Sequence, residues 1–195
     1  RGSLNYTRVK NKILNDTFVI DDLFLCVLGL FAAEGHIGKN LFSINFTFHR
    51  REENLYNIIN RFSKRVCGIE ACKLIKDNKM TVTIHSKELA IVFSNLFKKG
   101  AKNKNVPDFI KKLPPFKQMS FAKGAILGDG YRRKVKRGNR VECEVSFCSV
   151  SMDLAYGMRD IFENNGIKIY AYSTKARADK NKVNHLKSYT LGIAS

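Results

Sequence analysis

The chain has 195 residues, of which 44% are hydrophobic, so it is long enough and apolar enough to bury a core. Its 35 Lys and Arg residues against 17 Asp and Glu give a formal charge of +18, which favours nucleic acid over a membrane surface as the partner. Five cysteines without a Cys-x-x-Cys spacing indicate neither a zinc site nor a disulfide framework, and they predict an intracellular protein, of cytoplasm, nucleoid or organelle, rather than a secreted one.

The first predicted helix ends in a motif that returns later in the chain. Residues 27–35 are Val-Leu-Gly-Leu-Phe-Ala-Ala-Glu-Gly, within an apolar run too short to cross a bilayer. Gly29 and Ala33 are four positions apart and share one helix face, where small side chains let a second helix approach closely. Gly35 suits the left-handed position that ends a helix, so Glu34 is predicted at the carboxyl end.

Period-2 alternation follows the first motif and predicts half-buried strands. Apolar residues 42, 44, 46 and 48 alternate with polar residues 43, 45, 47 and 49, and a similar pattern covers 80–85. Amphipathic spacing predicts helices over 54–67 and 87–99. The segment Lys104-Asn105-Val106-Pro107 then leads towards the second motif.

The second motif occupies residues 122–130 and consists of Ala-Lys-Gly-Ala-Ile-Leu-Gly-Asp-Gly. Gly124 and Gly128 share a helix face, and Gly130 again suits a left-handed helix end. If the two helices pack closely, Glu34 and Asp129 meet at the negative ends of two helix dipoles, where they repel each other. A divalent cation such as Mg²⁺ would relieve both effects.

The second half repeats the pattern of the first. Strands are predicted over 141–148, 167–172 and 189–193, with an amphipathic helix over 153–165. The Gly-Ile pair that closes the amphipathic helix at 68–69 recurs at 166–167, at nearly the same interval as the two acids. The order of elements predicts an α+β fold with antiparallel sheets, produced by an internal duplication.

The paired motifs resemble the LAGLIDADG motif of homing endonucleases, and the resemblance covers roughly residues 20–195. It implies two pseudo-symmetric αββαββα repeats, with paired central motif helices and antiparallel sheets that form a saddle over DNA. Residues 1–20 would be an N-terminal arm, 21–119 the first repeat and 120–195 the second repeat, lacking its last helix. Glu34 departs from the more usual aspartate of the motif.

The resemblance also implies the composition of the site. Glu34 and Asp129 would be catalytic residues and metal ligands, helped by the backbone carbonyls of Ala33 and Gly128, with Mg²⁺ bound and Mn²⁺ able to substitute. Lys104 lies in a segment similar to the Lys-x-Ile-Pro segment of the family, which implies a catalytic lysine that positions water or stabilises charge. An ordinary surface lysine is the alternative, because further lysines crowd this loop.

Contacts to DNA are expected from polar strand residues and basic loops, since guanidinium and polar groups bind base edges and lysines mostly bind phosphates. A solvated strand face is the alternative for each residue. The candidates are Ser43, Asn45, Thr47, His49, Arg132, Lys134, Lys136, Arg137, Arg140, Lys168, Tyr170 and Lys187.

The resemblance implies a monomeric, site-specific endonuclease of intron homing that cuts both strands of a long double-stranded DNA site, with no membrane association. Two alternatives stay open. One is a maturase, for which intron RNA would be a partner, and the other is a DNA-binding regulator of the same fold that does not cleave. The presence of both Glu34 and Asp129 argues against the regulator, because binding alone has no need of paired acids.

Overall fold

The computed structural model describes residues 19–137, 140–178 and 184–193. The first half contains three long helices and four strands, followed by a short helix. Their bounds are α1 (Asp22–Glu34), β1 (Gly35–Ile37), β2 (Ile44–His49), α2 (Glu53–Cys67), β3 (Cys72–Lys76), β4 (Lys79–Ile84), α3 (Lys87–Leu96) and α4 (Asp108–Lys111). Helix α3 ends earlier than the predicted residue 99, because Phe97 is extended and buried.

The described second half repeats the order from α1 to β4 and has two further short strands before its last strand. Its elements are α5 (Pro115–Asp129), β5 (Gly130–Arg137), β6 (Arg140–Ser149), α6 (Met152–Asn164), β7 (Ile169–Thr174), β8 (Arg177–Ala178), β9 (Asn184–His185) and β10 (Ser188–Ile193). Helix α5 begins at Pro115, a residue type favoured in the first turn of a helix, and therefore before the predicted repeat boundary at 120.

Two antiparallel four-stranded sheets dominate the fold. The strand order is β1-β2-β4-β3 in the first sheet and β5-β6-β10-β7 in the second. The registers are equivalent, since Gly35 pairs with Phe46 in one sheet and Gly130 pairs with Phe147 in the other. The predicted α+β fold with two similar repeats is therefore confirmed. Among the described residues, no helix is both long and apolar enough to cross a membrane.

Helices α1 and α5 pack backbone against backbone at the centre. A Cβ atom on Gly29 would lie 2.0 Å from the carbonyl oxygen of Phe121, and one on Gly124 would lie 1.9 Å from that of Cys26. Neither position has room for a side chain. The predicted close contact between the small faces of the motif helices is confirmed, and it brings the carboxyl ends of both helices together.

The prediction of left-handed glycines at the helix ends is wrong. Gly35 has φ −88° and ψ 149°, and Gly130 has φ −86° and ψ 143°, which are extended conformations. The chain passes straight from each helix into a strand. Both positions require glycine because there is no space for a side chain. A Cβ on Gly35 would lie 2.2 Å from the ring of Phe31, and one on Gly130 would lie 2.2 Å from the carbonyl oxygen of Ile126.

The predicted alternation of buried and exposed strand residues agrees best with the structure near the motif helices. Ile44, Phe46 and Phe48 are buried as expected, whereas Phe42 precedes the strand and is 59% exposed. In β6, Phe147 is buried but Cys143 is exposed. The outer part of the β5–β6 hairpin therefore extends past the core.

Candidate active site

Helices α1 and α5 end at one cavity of about 960 Å³. Glu34 and Asp129, the last residues of the two helices, both line it, and so does Lys104. The three residues that the sequence predicted as catalytic are therefore brought together. Their catalytic roles stay predictions.

Both carboxylates are held in an environment that disfavours their charge. Burial raises the pKa of Glu34 to about 7, and the negative charges of Asp129 and Glu52 add to this effect. Burial raises the pKa of Asp129 to about 6, although the nearby Lys104 opposes the rise. Each acid also ends a helix, where the carbonyl dipoles are negative. The pair is thus suited to accept a cation or a proton.

Lys104 is buried with only 8% of its surface exposed. Its Nζ donates hydrogen bonds of 2.9 Å to the carbonyl oxygens of Phe31 and Gly35, and it lies 3.9 Å from the centre of the Phe31 ring. Burial lowers the pKa of Lys104 to about 8, an effect that the charge of Asp129 opposes. The ammonium group lies at the carboxyl end of α1, where a positive charge is favourable. The alternative of an ordinary surface lysine is wrong.

The donor atoms at the helix ends suit a hard cation. The described part of the chain has no group of three or more His, Cys, Asp or Glu that could hold a metal ion. Two carboxylates remain, and Mg²⁺ is commonly bound by one or two carboxylates, with water and substrate phosphates completing its coordination. Ala33 and Gly128 lie at the helix contact between the acids, since a Cβ on Gly128 would be 2.6 Å from that of Ala33. The two carboxylates are therefore oxygen donors of the kind that Mg²⁺ prefers.

Further basic and polar side chains surround the acids, and the sequence analysis did not select them. His36, Lys39, Lys98 and Lys99 line the same cavity. Burial lowers the pKa of His36, and the charges of Lys104 and Lys79 lower it further, which favours a neutral imidazole. The position of His36 directly after Glu34-Gly35 was the available signal. The lysines place positive charge where a phosphate could enter.

The open face of the first sheet carries the polar residues predicted to contact DNA. They alternate with the buried Phe46 and Phe48, and the Thr83 hydroxyl donates a hydrogen bond of 2.8 Å to Asn45 Oδ1. Asn45 Nδ2 lies 3.3 Å from the Ser43 hydroxyl. The residues concerned are Ser43, Asn45, Thr47 and His49.

The second sheet distributes its basic residues differently from the prediction. Arg132, Lys134 and Lys136 pair with residues of β6 that share a face with the buried Phe147, so they lie on the helix side of the sheet, where their side chains are exposed. Tyr170 lies on the opposite, open face, as expected, and is 68% exposed.

Three residues of this open face were missed by the sequence analysis. No local sequence signal marked those of β5, because only the pairing of Gly130 with Phe147 decides which face of the sheet they share. They are Tyr131, Arg133 and Tyr172.

The remaining predicted contacts lie at strand ends. Lys168 is exposed just before β7, and Lys187 is exposed just before β10, with its Nζ 5.1 Å from the centre of the Tyr189 ring. Arg137 and Arg140 pair at the outer end of the β5–β6 hairpin, and their side chains lie outside the described part of the structure.

No protein-family model matches the chain. Among characterised structures, mesophilic variants of the homing endonuclease I-DmoI align with a TM-score of 0.60 at 14% identity, over 90% of this chain and 89% of theirs. I-DmoI in complex with DNA and Ca aligns with a TM-score of 0.60 at 13% identity, over 90% and 84% of the two chains. The chain has the LAGLIDADG fold.

The LAGLIDADG fold also occurs in the N-terminal domain of WhiA, which aligns with a TM-score of 0.53 at 14% identity, over 91% of this chain and 78% of that domain. At such identities the likeness establishes the fold and not the activity. In sequence, the chain is 29% identical over 161 residues to the uncharacterized protein MJ1054 of Methanocaldococcus jannaschii. That match covers 76% of this chain but only 17% of the longer protein.

Proposed function

We propose that the chain is a site-specific endonuclease that hydrolyses double-stranded DNA with a divalent cation held by Glu34 and Asp129. The observation that carries this proposal is the meeting of both motif acids in one cavity with the buried Lys104. Two like charges with raised pKa values destabilise a fold unless something opposes them. A divalent cation would supply that opposition, and it would also bind an oxygen of a phosphodiester.

The residues of the cavity would have separate roles, in metal binding and in hydrogen bonding to the substrate or to water. Glu34 and Asp129 would hold Mg²⁺ or Mn²⁺, with the carbonyls of Ala33 and Gly128 as further donors. When bound, the cation supplies an activated water and stabilises negative charge on the phosphate. Lys104 has three N–H donors and uses two on carbonyl oxygens, so the third would donate to a water or a phosphate oxygen.

The open faces of the two sheets would bind the duplex on either side of this cavity. The polar face of the first sheet offers hydrogen-bonding groups of the kind that bind base edges in the major groove. The β5–β6 hairpin carries exposed basic side chains on both faces, which suits phosphate contacts. Both acids come from one chain, so a monomer divided into the repeats 21–119 and 120–195 would suffice. The predicted arm over 1–20 lies almost entirely outside the described residues.

A DNA-binding regulator that does not cleave is the second candidate. It stays a candidate because the chain shares its fold with both I-DmoI and WhiA, and the fold alone does not establish cleavage. The paired acids favour the endonuclease, because a groove-binding protein gains nothing from a half-buried pair of carboxylates. Intron homing as the biological role and intron RNA as a partner stay predictions.

Cleavage of a randomised duplex library, incubated in parallel with Mg²⁺, Ca²⁺ and EDTA, tests the proposal and identifies the target. We expect Asp129→Asn to slow cutting of that target by at least about 100-fold, because loss of even an outer-shell partner of a metal site costs about 10- to 100-fold. DNA binding should be retained, since the substitution removes a negative charge. The control is Asp160→Asn, which changes an exposed acid of α6 that pairs with Arg159.

Two outcomes would contradict the proposal. Cutting by Asp129→Asn at the rate of the unmodified protein would show that this acid does not act in the reaction. Binding of selected duplexes without cutting in any metal would favour the regulator.

A further inference from the structure

Ser151 connects the second repeat to the segment that carries Lys104. The residue is fully buried and lies at the amino end of α6. Its hydroxyl accepts a hydrogen bond of 3.3 Å from the Leu154 backbone N–H and donates one to the Lys104 carbonyl oxygen. Its own backbone N–H donates to the Ser149 hydroxyl at 3.1 Å. One hydroxyl therefore begins a helix of the second repeat and holds the main chain of the cavity lysine.

The lysine segment is held from two sides. The Lys104 side chain reaches the carbonyls that end α1 in the first repeat, whereas its main chain is bonded to α6 in the second. Two residues later, Val106 is fully buried against α6, where a Cβ on Gly157 would lie 2.6 Å from a Val106 methyl group. A glycine at 157 thus lets the segment lie close to the helix.

We propose that Ser151 is a positioning residue, which fixes the main chain of Lys104 so that the ammonium group stays beside Gly35, in the cavity that the two motif acids also line. A lysine has a long flexible stem, so the place of its ammonium group depends on where its main chain is held. A misplacement of about 1 Å at a reacting centre can slow a reaction about 100-fold. The proposal rests on the proposed function for its effect on cutting, but the geometry stands independently of it.

A matched pair of serine variants separates this role from ordinary helix capping. Ser151→Ala removes both the cap of α6 and the bond to Lys104. Ser86→Ala removes the equivalent cap of α3, where the hydroxyl accepts from the Leu89 N–H and donates to the Glu88 carboxylate, without contact to Lys104. If Ser151→Ala does not fold, Ser151→Cys keeps the shape of the side chain with a much weaker donor.

Single-turnover cutting of the selected target gives the first measurement. We expect Ser151→Ala to cut about 10- to 100-fold more slowly with unchanged DNA binding in Ca²⁺, whereas Ser86→Ala should cut at the rate of the unmodified protein. In a Lys104→Met background, Ser151→Ala should have no further effect. Equal slowing with and without Lys104 would overturn the proposal, and so would no slowing at all.

Chemical labelling of lysines gives a second measurement that needs no DNA. An acetylating reagent followed by mass spectrometry reports the reactivity of Lys104, which should be slow in the unmodified protein and severalfold faster in Ser151→Ala. Lys64 and Lys168, which are exposed and do not line this cavity, serve as internal references.

The two measurements distinguish the two proposals. If the unmodified protein cuts no DNA but Ser151→Ala exposes Lys104, the proposed function is wrong and the positioning role stands. If the protein cuts DNA and Lys104 is equally unreactive in both forms, the positioning role is wrong.

Discussion

Among the single residues, Glu34 gives the clearest link between the cavity and stability. Its pKa is about 7 in the folded protein, against an ordinary value of 4.5. Between these pH values the folded protein binds more protons at Glu34 than the unfolded chain does. The contribution of Glu34 to the free energy of unfolding is therefore complete below about pH 4.5 and is lost as the pH rises through about 7. Asp129, with a raised pKa of about 6, contributes with the same sign. The metal-free protein should therefore be less stable at pH 8 than at pH 5.

Replacement of Glu34 by Gln should raise the melting temperature of the metal-free protein at pH 8, because it removes one of two half-buried negative charges that repel each other. A rise of a few degrees is expected, since about 1 kcal/mol corresponds to roughly 2–4 °C in a protein of this size. The gain should shrink at pH 5, and Mg²⁺ should stabilise the unmodified protein more than the variant. Thermal melts in EDTA and in Mg²⁺ measure this, with the exposed Glu163→Gln as control. Equal melting temperatures in EDTA at pH 8 would contradict the assigned environment of Glu34.

The sequence predicted the acids of the site but not the surroundings of its lysine. The acids could be found because each closes a local motif on a helix. The bonds from Lys104 to Phe31 and Gly35 join residues some 70 positions apart, and such contacts leave no local periodicity. The role of Ser151 was hidden for the same reason, because a serine that begins a helix gives no sign of what else its hydroxyl touches.

At the scale of elements, periodicity predicted helices and strands well where one face is buried. The strands around Phe46 and Val82 follow strict alternation, and the structure has them close to the predicted positions. The orientation of β5 was not predictable in this way, because residues 131–134 are Tyr-Arg-Arg-Lys and no apolar alternation marks a buried face. Only its pairing with β6 decides which side chains lie on the open face.

The contact between the motif helices should be intolerant of even one methyl group. Gly124→Ala would place a Cβ atom 1.9 Å from a backbone oxygen of Cys26, so the helices must separate. We expect destabilisation of about 1–3 kcal/mol or more, typical of overpacking. Gly192→Ala is the control, because its Cβ would meet nothing nearer than 3.7 Å. Urea unfolding of the two variants decides the point, and equal midpoints would mean that the helices do not pack as described.

For the molecule as a whole, the charge of +18 should dominate binding to a duplex. Each phosphate that a lysine or arginine neutralises releases counterions, so affinity falls as salt rises. Exposed basic side chains occur in both repeats, for example Lys39 and Lys79 in the first and Lys134 and Lys168 in the second. Both repeats should therefore contribute to the salt dependence.

Binding to duplex DNA should weaken steeply between 50 and 400 mM salt. If about 8 phosphates are contacted, a plot of log Kd against log salt should have a slope of about 7 in magnitude. Fluorescence anisotropy with a labelled duplex measures this. The slope should be the same for Asp129→Asn, because an aspartate neutralises no phosphate. A slope near zero would exclude the duplex as the main partner.

The β1–β2 and β5–β6 hairpins differ in length, so the two ends of the molecule are not equivalent. In the first repeat, β1 has 3 residues and β2 has 6, whereas β5 has 8 and β6 has 10 in the second. A duplex lying across both sheets would contact the short, polar β1–β2 hairpin at one end and the long, basic β5–β6 hairpin at the other. The protein would therefore distinguish a recognition sequence from the same sequence inverted about its centre. The two identical halves of a palindrome would match at most one of the two hairpins.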